Sequence, residues 1–139
     1  MTIVIKIGGA ALEDVATLRK CARAIAELAQ DGHRVAVVHG GGSALTKVLQ
    51  QLGKQTEFVA GLRVTDAETR DVALMVLGGM VNKRLVAAIQ AAGMPAVGFC
   101  GGDGMSFRAR RKQVQGNDVG FVGEICFAEP CWIEALWQQ

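Results

Sequence analysis

Val35-Ala36-Val37-Val38-His39-Gly40-Gly41-Gly42-Ser43 is the stretch that decides the fold. An apolar, β-branched run meets three glycines, and a helical pattern begins at once. Ala44, Leu45, Val48, Leu49 and Leu52 recur at helix spacing until Gly53. The run before the glycines reads as a strand, Arg34–Val38, buried on both faces. Glycine lacks Cβ, so its N–H can approach an anion closely. A helix opening after such a turn adds its dipole and its first N–H groups.

Upstream, the same grammar appears once more. Residues 2–7 read as a buried strand, and Gly8-Gly9 follow it. From Leu12, the residues Val15, Leu18, Ala22, Ile25 and Ala29 recur at helix spacing, which predicts one helix stopped by Asp31-Gly32. Strand–helix–strand–helix implies an α/β fold with parallel pairing and a right-handed crossover.

Downstream, Phe58-Val59 and Leu62-Arg63-Val64 flank Ala60-Gly61, the pattern of a short hairpin. Thr65-Asp66-Ala67-Glu68 is a capping box. The helix it starts carries Val72, Met75 and Val76 and breaks at Gly78-Gly79; a second helix carries Val81, Leu85, Val86 and Ile89 until Gly93. Pro95–Phe99 reads as a third buried strand, ending in the cluster Gly101-Gly102-Asp103-Gly104. Residues 106–127 read as polar β-hairpin with a turn at Gln115-Gly116-Asn117-Asp118. Pro130 suits the first turn of a helix, and Ile133, Leu136 and Trp137 begin its apolar face. Either a short helix docks there, or the sequence is a piece of something longer.

Composition narrows the function. The chain has 139 residues, half of them hydrophobic and 20% charged, enough for one domain with a real core. A net charge of +2 does not mark a nucleic-acid binder. Arg108-Ala109-Arg110-Arg111-Lys112 is the one local excess, read as a solvated hairpin or loop. Cys21, Cys100, Cys126 and Cys131 form no C-x-x-C pair and lie near no His at zinc spacing, so no metal site is expected. There is no signal-peptide pattern and no apolar run of membrane-spanning length, which points to a reduced, cytoplasmic protein without a membrane partner.

Six residues or clusters are candidates for chemistry: Lys6, the glycine loop, His39, Arg63, Asp103 and Asp118. Lys6 sits in the first strand just before Gly8-Gly9, where it can bring a fixed positive charge to a site mouth; the alternative is a lysine on an exposed edge. Gly40-Gly41-Gly42 have the physics of an anion loop without matching the P-loop pattern. His39 is either a hydrogen-bonded structural residue or a base. Arg63 offers a fork suited to a carboxylate, although by residue type alone it is a surface arginine. Asp103 and Asp118 read as turn formers.

The set Lys6-Ile7-Gly8-Gly9, His39-Gly40-Gly41-Gly42, Gly61-Leu62-Arg63-Val64-Thr65, Val81-Asn82-Lys83 and Asp118-Val119-Gly120-Phe121-Val122-Gly123 resembles the acetylglutamate kinases of the amino acid kinase family. Kinases of carrier-bound aminoadipate are similar too. The resemblance implies a three-layer α/β/α sandwich around a mainly parallel sheet, and transfer of phosphoryl from MgATP to the side-chain carboxylate of N-acetyl-L-glutamate in arginine biosynthesis. It implies that Lys6 neutralises charge on the transferred group and that Gly8 and Gly9 lie near the ATP phosphates. Gly41 and Gly42 would then hold the acyl amino acid, with Arg63 on its α-carboxylate. It also implies a homodimer through the helix around Val72–Leu77; the alternative is that this apolar helix is core. Such kinases carry a C-terminal nucleotide lobe with an asparagine, an aspartate and a second lysine that have no counterpart here. Residues 1–139 are therefore expected to be the substrate-binding lobe, inactive alone. The competing reading is a non-catalytic amino-acid-binding or oligomerising domain derived from such a kinase.

Overall fold

β1 (Thr2–Ile7) and β2 (Arg34–His39) pair in parallel, from Thr2 opposite Arg34 to Ile7 opposite His39. The computed structural model describes residues 1–139 and divides the chain into two units. Unit 1 comprises Met1–Leu45 and Met75–Phe99; unit 2 comprises Thr46–Leu74 and Cys100–Gln139. The fold is α/β.

In unit 1 the crossover from β1 to β2 runs through α1 (Gly9–Glu13) and α2 (Val15–Gln30). The single helix expected from Leu12 to Ala29 is split. Asp14 is in extended conformation and caps α2, accepting from the Thr17 N–H at 2.8 Å and from its hydroxyl. Side-chain competition of this kind is why Asp favours caps over helix interiors. Ala22, Ile25 and Ala26 of α2 are buried, as are Leu85 and Ile89 of α5 (Asn82–Ala91), which packs on α2.

Two expectations fail in this unit. The strands are not buried on both faces: in β1 exposure alternates, with Thr2, Val4 and Lys6 exposed and only Ile7 fully covered, and in β2 Arg34 and Val38 are exposed. Pro95–Phe99 forms no strand. Its carbonyls go instead to side chains of α5, Ala96 accepting from Gln90 Nε2 at 3.4 Å and Gly98 from Lys83 Nζ at 2.6 Å. An apolar run satisfied in that way needs no sheet partner.

The helix expected to break at Gly78-Gly79 does not. α4 (Ala67–Ala73) passes into a π-helical segment, Leu74–Val81, and then into α5. The 25-residue run Ala67–Ala91 is long and apolar enough to cross a membrane by length and composition, contrary to the sequence reading. Val72, Val76, Val81, Leu85 and Ile89 along it are buried, whereas Leu74 and Met75 are exposed. α3 (Gly42–Gln51) and this run each contribute residues to both units.

Unit 2 is built from hairpins. β3 (Phe58–Val59) and β4 (Leu62–Arg63) turn through Ala60 and Gly61, both at positive φ. β5 (Phe107–Val114) and β6 (Asn117–Ala128) turn through Gln115 and Gly116, at φ of 53° and 77°. Two positive-φ residues match the right-handed strand twist, so both expected hairpins form. β5–β6 is exposed along most of its length, and its register shifts twice, at Arg108/Ala109 and Arg111/Gln113. Val119 is wholly buried, and beside it Thr65 N–H donates to Val119 O at 3.0 Å while Phe121 N–H donates to Thr65 O at 2.6 Å. Asp66, not Thr65, caps α4, accepting from the Thr69 N–H. A short helix, α6 (Cys131–Leu136), follows Pro130, and Trp132 Nε1 donates to Gly104 O at 3.1 Å.

Candidate functional site

The carboxyl ends of parallel strands are where α/β folds leave their ligand crevice, and both glycine loops of unit 1 lie there. Gly8 precedes α1 and Gly9 begins it; Gly40 and Gly41 link β2 to α3, which begins at Gly42. The structure brings Gly9 and Gly41 together. A Cβ on Gly9 would sit 2.8 Å from Gly41 N and 2.9 Å from its Cα, distances real Cβ atoms do not show. A Cβ on Gly41 would meet Leu77 Cδ2 at 2.6 Å and Val81 Cγ2 at 3.4 Å. Gly41 therefore lies between another backbone and the helix. The obstacle to a Cβ on Gly9 is backbone, which only glycine avoids, whereas that at Gly41 is chiefly the end of the Leu77 side chain. Gly8 and Gly42 have open space where a Cβ would stand. The cavity lined by Gly9, Leu12, Gly41, Val81 and Leu85 has ≈ 20 Å³, room for about one water.

Hydrogen bonds fix the loop further. Gly40 N–H donates to Ile7 O at 2.9 Å, and Leu45 N–H to Gly41 O at 3.0 Å. His39 Nδ1 lies 3.0 Å from Gly40 O, and its Nε2 lies 3.3 Å from Asn82 Nδ2. Of its two readings, His39 takes the hydrogen-bonded one. Ser43 donates its hydroxyl to Glu13 Oε1, tying α3 to α1. Lys6, opposite Val38 in the ladder, stands on the exposed face with Val4, two residues before Gly8. It is not the buried lysine the sequence suggested.

Arg63 belongs to unit 2 and is half-buried, not a free surface arginine. Its Nη1 donates to Thr56 Oγ1 at 3.0 Å and its Nη2 to Thr46 Oγ1 at 2.8 Å, while the guanidinium lies 4.9 Å from the Phe58 ring centroid. Thr46, Thr56 and Phe58 also line an open hollow of ≈ 570 Å³ with Gln50, Gly53 and Lys54. Two hydroxyls and a ring orient the fork, and a guanidinium fork matches the geometry of a carboxylate. Nearby, Lys54 Nζ donates to Asp66 Oδ2 at 2.7 Å and to Glu68 Oε2 at 2.6 Å. These hydrogen bonds raise the Lys54 pKa. The Lys54 ammonium, with the Thr69 amide, holds the Asp66 carboxyl well below the usual range.

Asp103 and Asp118 are turn formers, as read. Asp103 Oδ2 accepts from Cys100 N–H at 2.8 Å; Asp118 accepts from Gly120 N–H and from Arg111. The basic stretch lies on exposed β5, where Arg111 pairs with Asp118 and Arg110 with Glu124. Sequence reasoning gave no role to Thr46, Lys54, Thr56 or Asn82. Each acts through a partner distant in sequence, 43 residues away for Asn82 and His39.

Comparison with known proteins follows the same lines. The sequence pattern of the amino acid kinase family matches residues 1–128. An acetylglutamate kinase from Acidobacterium capsulatum is 61% identical over 138 residues, covering 99% of this chain and 53% of that protein. One from Koribacter versatilis is 54% identical over 137 residues, covering 99% and 52%. The chain thus spans about half the length of the curated relatives it matches. Among solved structures, the N-acetylglutamate synthase of Neisseria gonorrhoeae, complexed with coenzyme A and N-acetyl-glutamate, superposes with a TM-score of 0.80. It is 28% identical, and the match covers 99% of this chain and 31% of that one.

Proposed function

We propose, from the premise that the chain belongs to the amino acid kinase family, that it is the substrate-binding part of an acetylglutamate kinase. The observation that carries this reading is Arg63. Its fork is oriented by Thr46 and Thr56 over Phe58 beside an open hollow, in a chain 61% identical to an acetylglutamate kinase.

In this reading Arg63 takes the α-carboxylate of N-acetyl-L-glutamate, and the Gly41 and Gly42 backbone holds the acyl amino acid. Gly8 and Gly9 face the phosphates of MgATP, the co-substrate. The side-chain carboxylate attacks the γ-phosphorus; a new P–O bond forms, and the bond to the ADP oxygen breaks. Lys6 supplies positive charge to the group in transit. Such transfer depends on positioning and charge more than on covalent chemistry. The nucleotide is held chiefly by sequence that the longer relatives carry, and the 139 residues alone transfer no phosphoryl group at a useful rate. Two copies pair through the helix around Val72–Leu77, where Leu74 and Met75 are exposed, and the protein works in the cytoplasm.

The test is to join the chain, after Gln139, to the second half of the Acidobacterium capsulatum relative, and to measure ADP release. Release should depend on N-acetyl-L-glutamate and be absent with the unextended chain. No release, with calorimetry still showing N-acetyl-L-glutamate bound, would instead make this a non-catalytic amino-acid-binding module. Neither binding nor release would end both readings.

A further inference from the structure

Asn82 is a buried amide, 7% exposed, at the first position of α5. Its Nδ2 faces His39 Nε2 at 3.3 Å, while its Oδ1 is buried without any hydrogen-bond partner. An orphaned buried carbonyl oxygen is costly, so something must hold the amide this way round. The His39 ring supplies the reason. Gly40 O can only accept, so His39 Nδ1, 3.0 Å away, must carry the ring proton. In a neutral ring Nε2 is then an acceptor and needs a donor opposite. The Asn82 NH₂ is that donor; the reversed amide would set lone pair against lone pair.

The surroundings leave Asn82 little freedom. A Cβ on Gly98 would run into Asn82 Oδ1, so only glycine fits there, and the adjacent Lys83 ties down the Gly98 carbonyl at 2.6 Å. Leu77 and Val81 belong to the π-helical segment, and Asn82 opens α5 directly after it. Leu77 and Val81 press on Gly41 while Asn82 grips His39. One stretch of helix therefore holds the glycine loop at two points.

We propose that Asn82 is a positioning residue: it holds His39 as the Nδ1–H tautomer, and His39 thereby fixes the Gly40 carbonyl and the direction of the Gly41 and Gly42 N–H groups. The ring nitrogens are distinct, and the bond made by one sets the state of the other. The proposal rests on the reading of Gly41 and Gly42 as the acyl-amino-acid loop.

The experiment is ¹⁵N NMR of the 139-residue chain. Long-range couplings report the His39 tautomer, and amide peaks report Gly41 and Gly42. Wild type should show neutral Nδ1–H. Asn82→Leu removes the donor, and Asn82→Asp replaces it with an acceptor of the same shape. Asn82→Asp should move the ring proton to Nε2 or add a second one, and displace the Gly41 and Gly42 peaks. Affinity for N-acetyl-L-glutamate should fall about tenfold, the scale of one lost buried hydrogen bond. Wild type found as Nε2–H overturns the proposal with no variant needed. So does an unchanged tautomer, or unmoved glycine peaks, in Asn82→Asp; where that variant does not fold, unmoved glycine peaks in Asn82→Leu overturn it. Peaks at Gly41 and Gly42 that ignore added N-acetyl-L-glutamate in wild type would refute the binding reading alone. The tautomer and the peak displacement caused by Asn82→Asp would still decide the latch.

Discussion

The two units hold their candidate ligand-facing groups by opposite means. In unit 1 the groups are backbone atoms, and packing holds them: Gly9 against Gly41, Gly41 against Leu77 and Val81. In unit 2 the group is a long charged side chain, and hydroxyls and a ring hold it: Arg63 between Thr46 and Thr56, over Phe58. Unit 1 should therefore break when atoms are added, and unit 2 when polar atoms are removed. A backbone donor needs little side-chain entropy to place, whereas an arginine must be pinned against about 2 kcal/mol of rotamer freedom.

Lys6 is the most severe challenge to that contrast, because it is an exposed side chain within unit 1. If unit 1 acts only through its backbone, Lys6→Ala is harmless. We expect the reverse in the completed enzyme. There kcat should drop by about 10²–10³, the usual loss of one preorganised electrostatic partner, with little change in KM for N-acetyl-L-glutamate. Steady-state kinetics decides, and a raised KM at normal kcat would assign Lys6 to binding or structure.

Arg63→Ala tests the other side of the contrast. Calorimetry should show N-acetyl-L-glutamate affinity weakened by about 1.5–3 kcal/mol, the range for hydrogen bonds to charged groups. Unchanged affinity would remove Arg63 from the site.

Adjacent glycines sharpen the packing claim. Gly9→Ala forces a Cβ into the Gly41 backbone and should destabilise by about 1–3 kcal/mol, the cost of overpacking. Gly8→Ala meets open space at an ordinary backbone angle and should change stability by less than about 0.5 kcal/mol. Urea titration of both variants compares them directly; equal effects would mean that the close crossing is not the cause.

The smallest effect is electrostatic and belongs to unit 2. The folded Asp66 carboxyl is depressed below its unfolded value of about 3.9 by Lys54 and Thr69. Its contribution is thus fully present above that pH and is lost as pH falls toward the folded value. Wild type should lose thermal stability below about pH 4 more steeply than Asp66→Asn. Parallel acid limbs in the two melting curves would show that the Lys54–Asp66 pair contributes nothing.

What was legible in the sequence was local. The glycines after β1 and β2, the Ala60-Gly61 and Gln115-Gly116 turns and the helix stop at Asp31-Gly32 each rest on the conformation of one or two residues, and each is where the pattern put it. Readings that rested on composition or periodicity alone went astray. Pro95–Phe99 has the composition of a strand, but Lys83 and Gln90 take its carbonyls. Gly78-Gly79 looked like a break, yet the surrounding Leu, Met and Val residues carry the helix through in a wider register. Asp14 interrupted an apolar period that ran on undisturbed from Leu12 to Leu18, and the period concealed the cap. In the candidate site, Gly41 and Arg63 drew a reading from the sequence because the chemistry of glycine and arginine is intrinsic to the residue type. Asn82, Thr46 and Thr56 were not, because an amide or hydroxyl acquires a role only from what stands opposite it.

The two register shifts in β5–β6 bear on how the protein behaves at high concentration. A hairpin exposed on both faces, with Phe107, Phe121, Ile125 and Phe127 among its uncovered side chains, is a template on which other chains can add strands. Bulges twist and bend such an edge, and Arg108, Arg110, Arg111 and Lys112 set like charges along it. The irregular pairing and the basic stretch together act as gatekeepers against fibril-like stacking, so replacing those cations by threonine should lower the concentration at which the protein begins to aggregate.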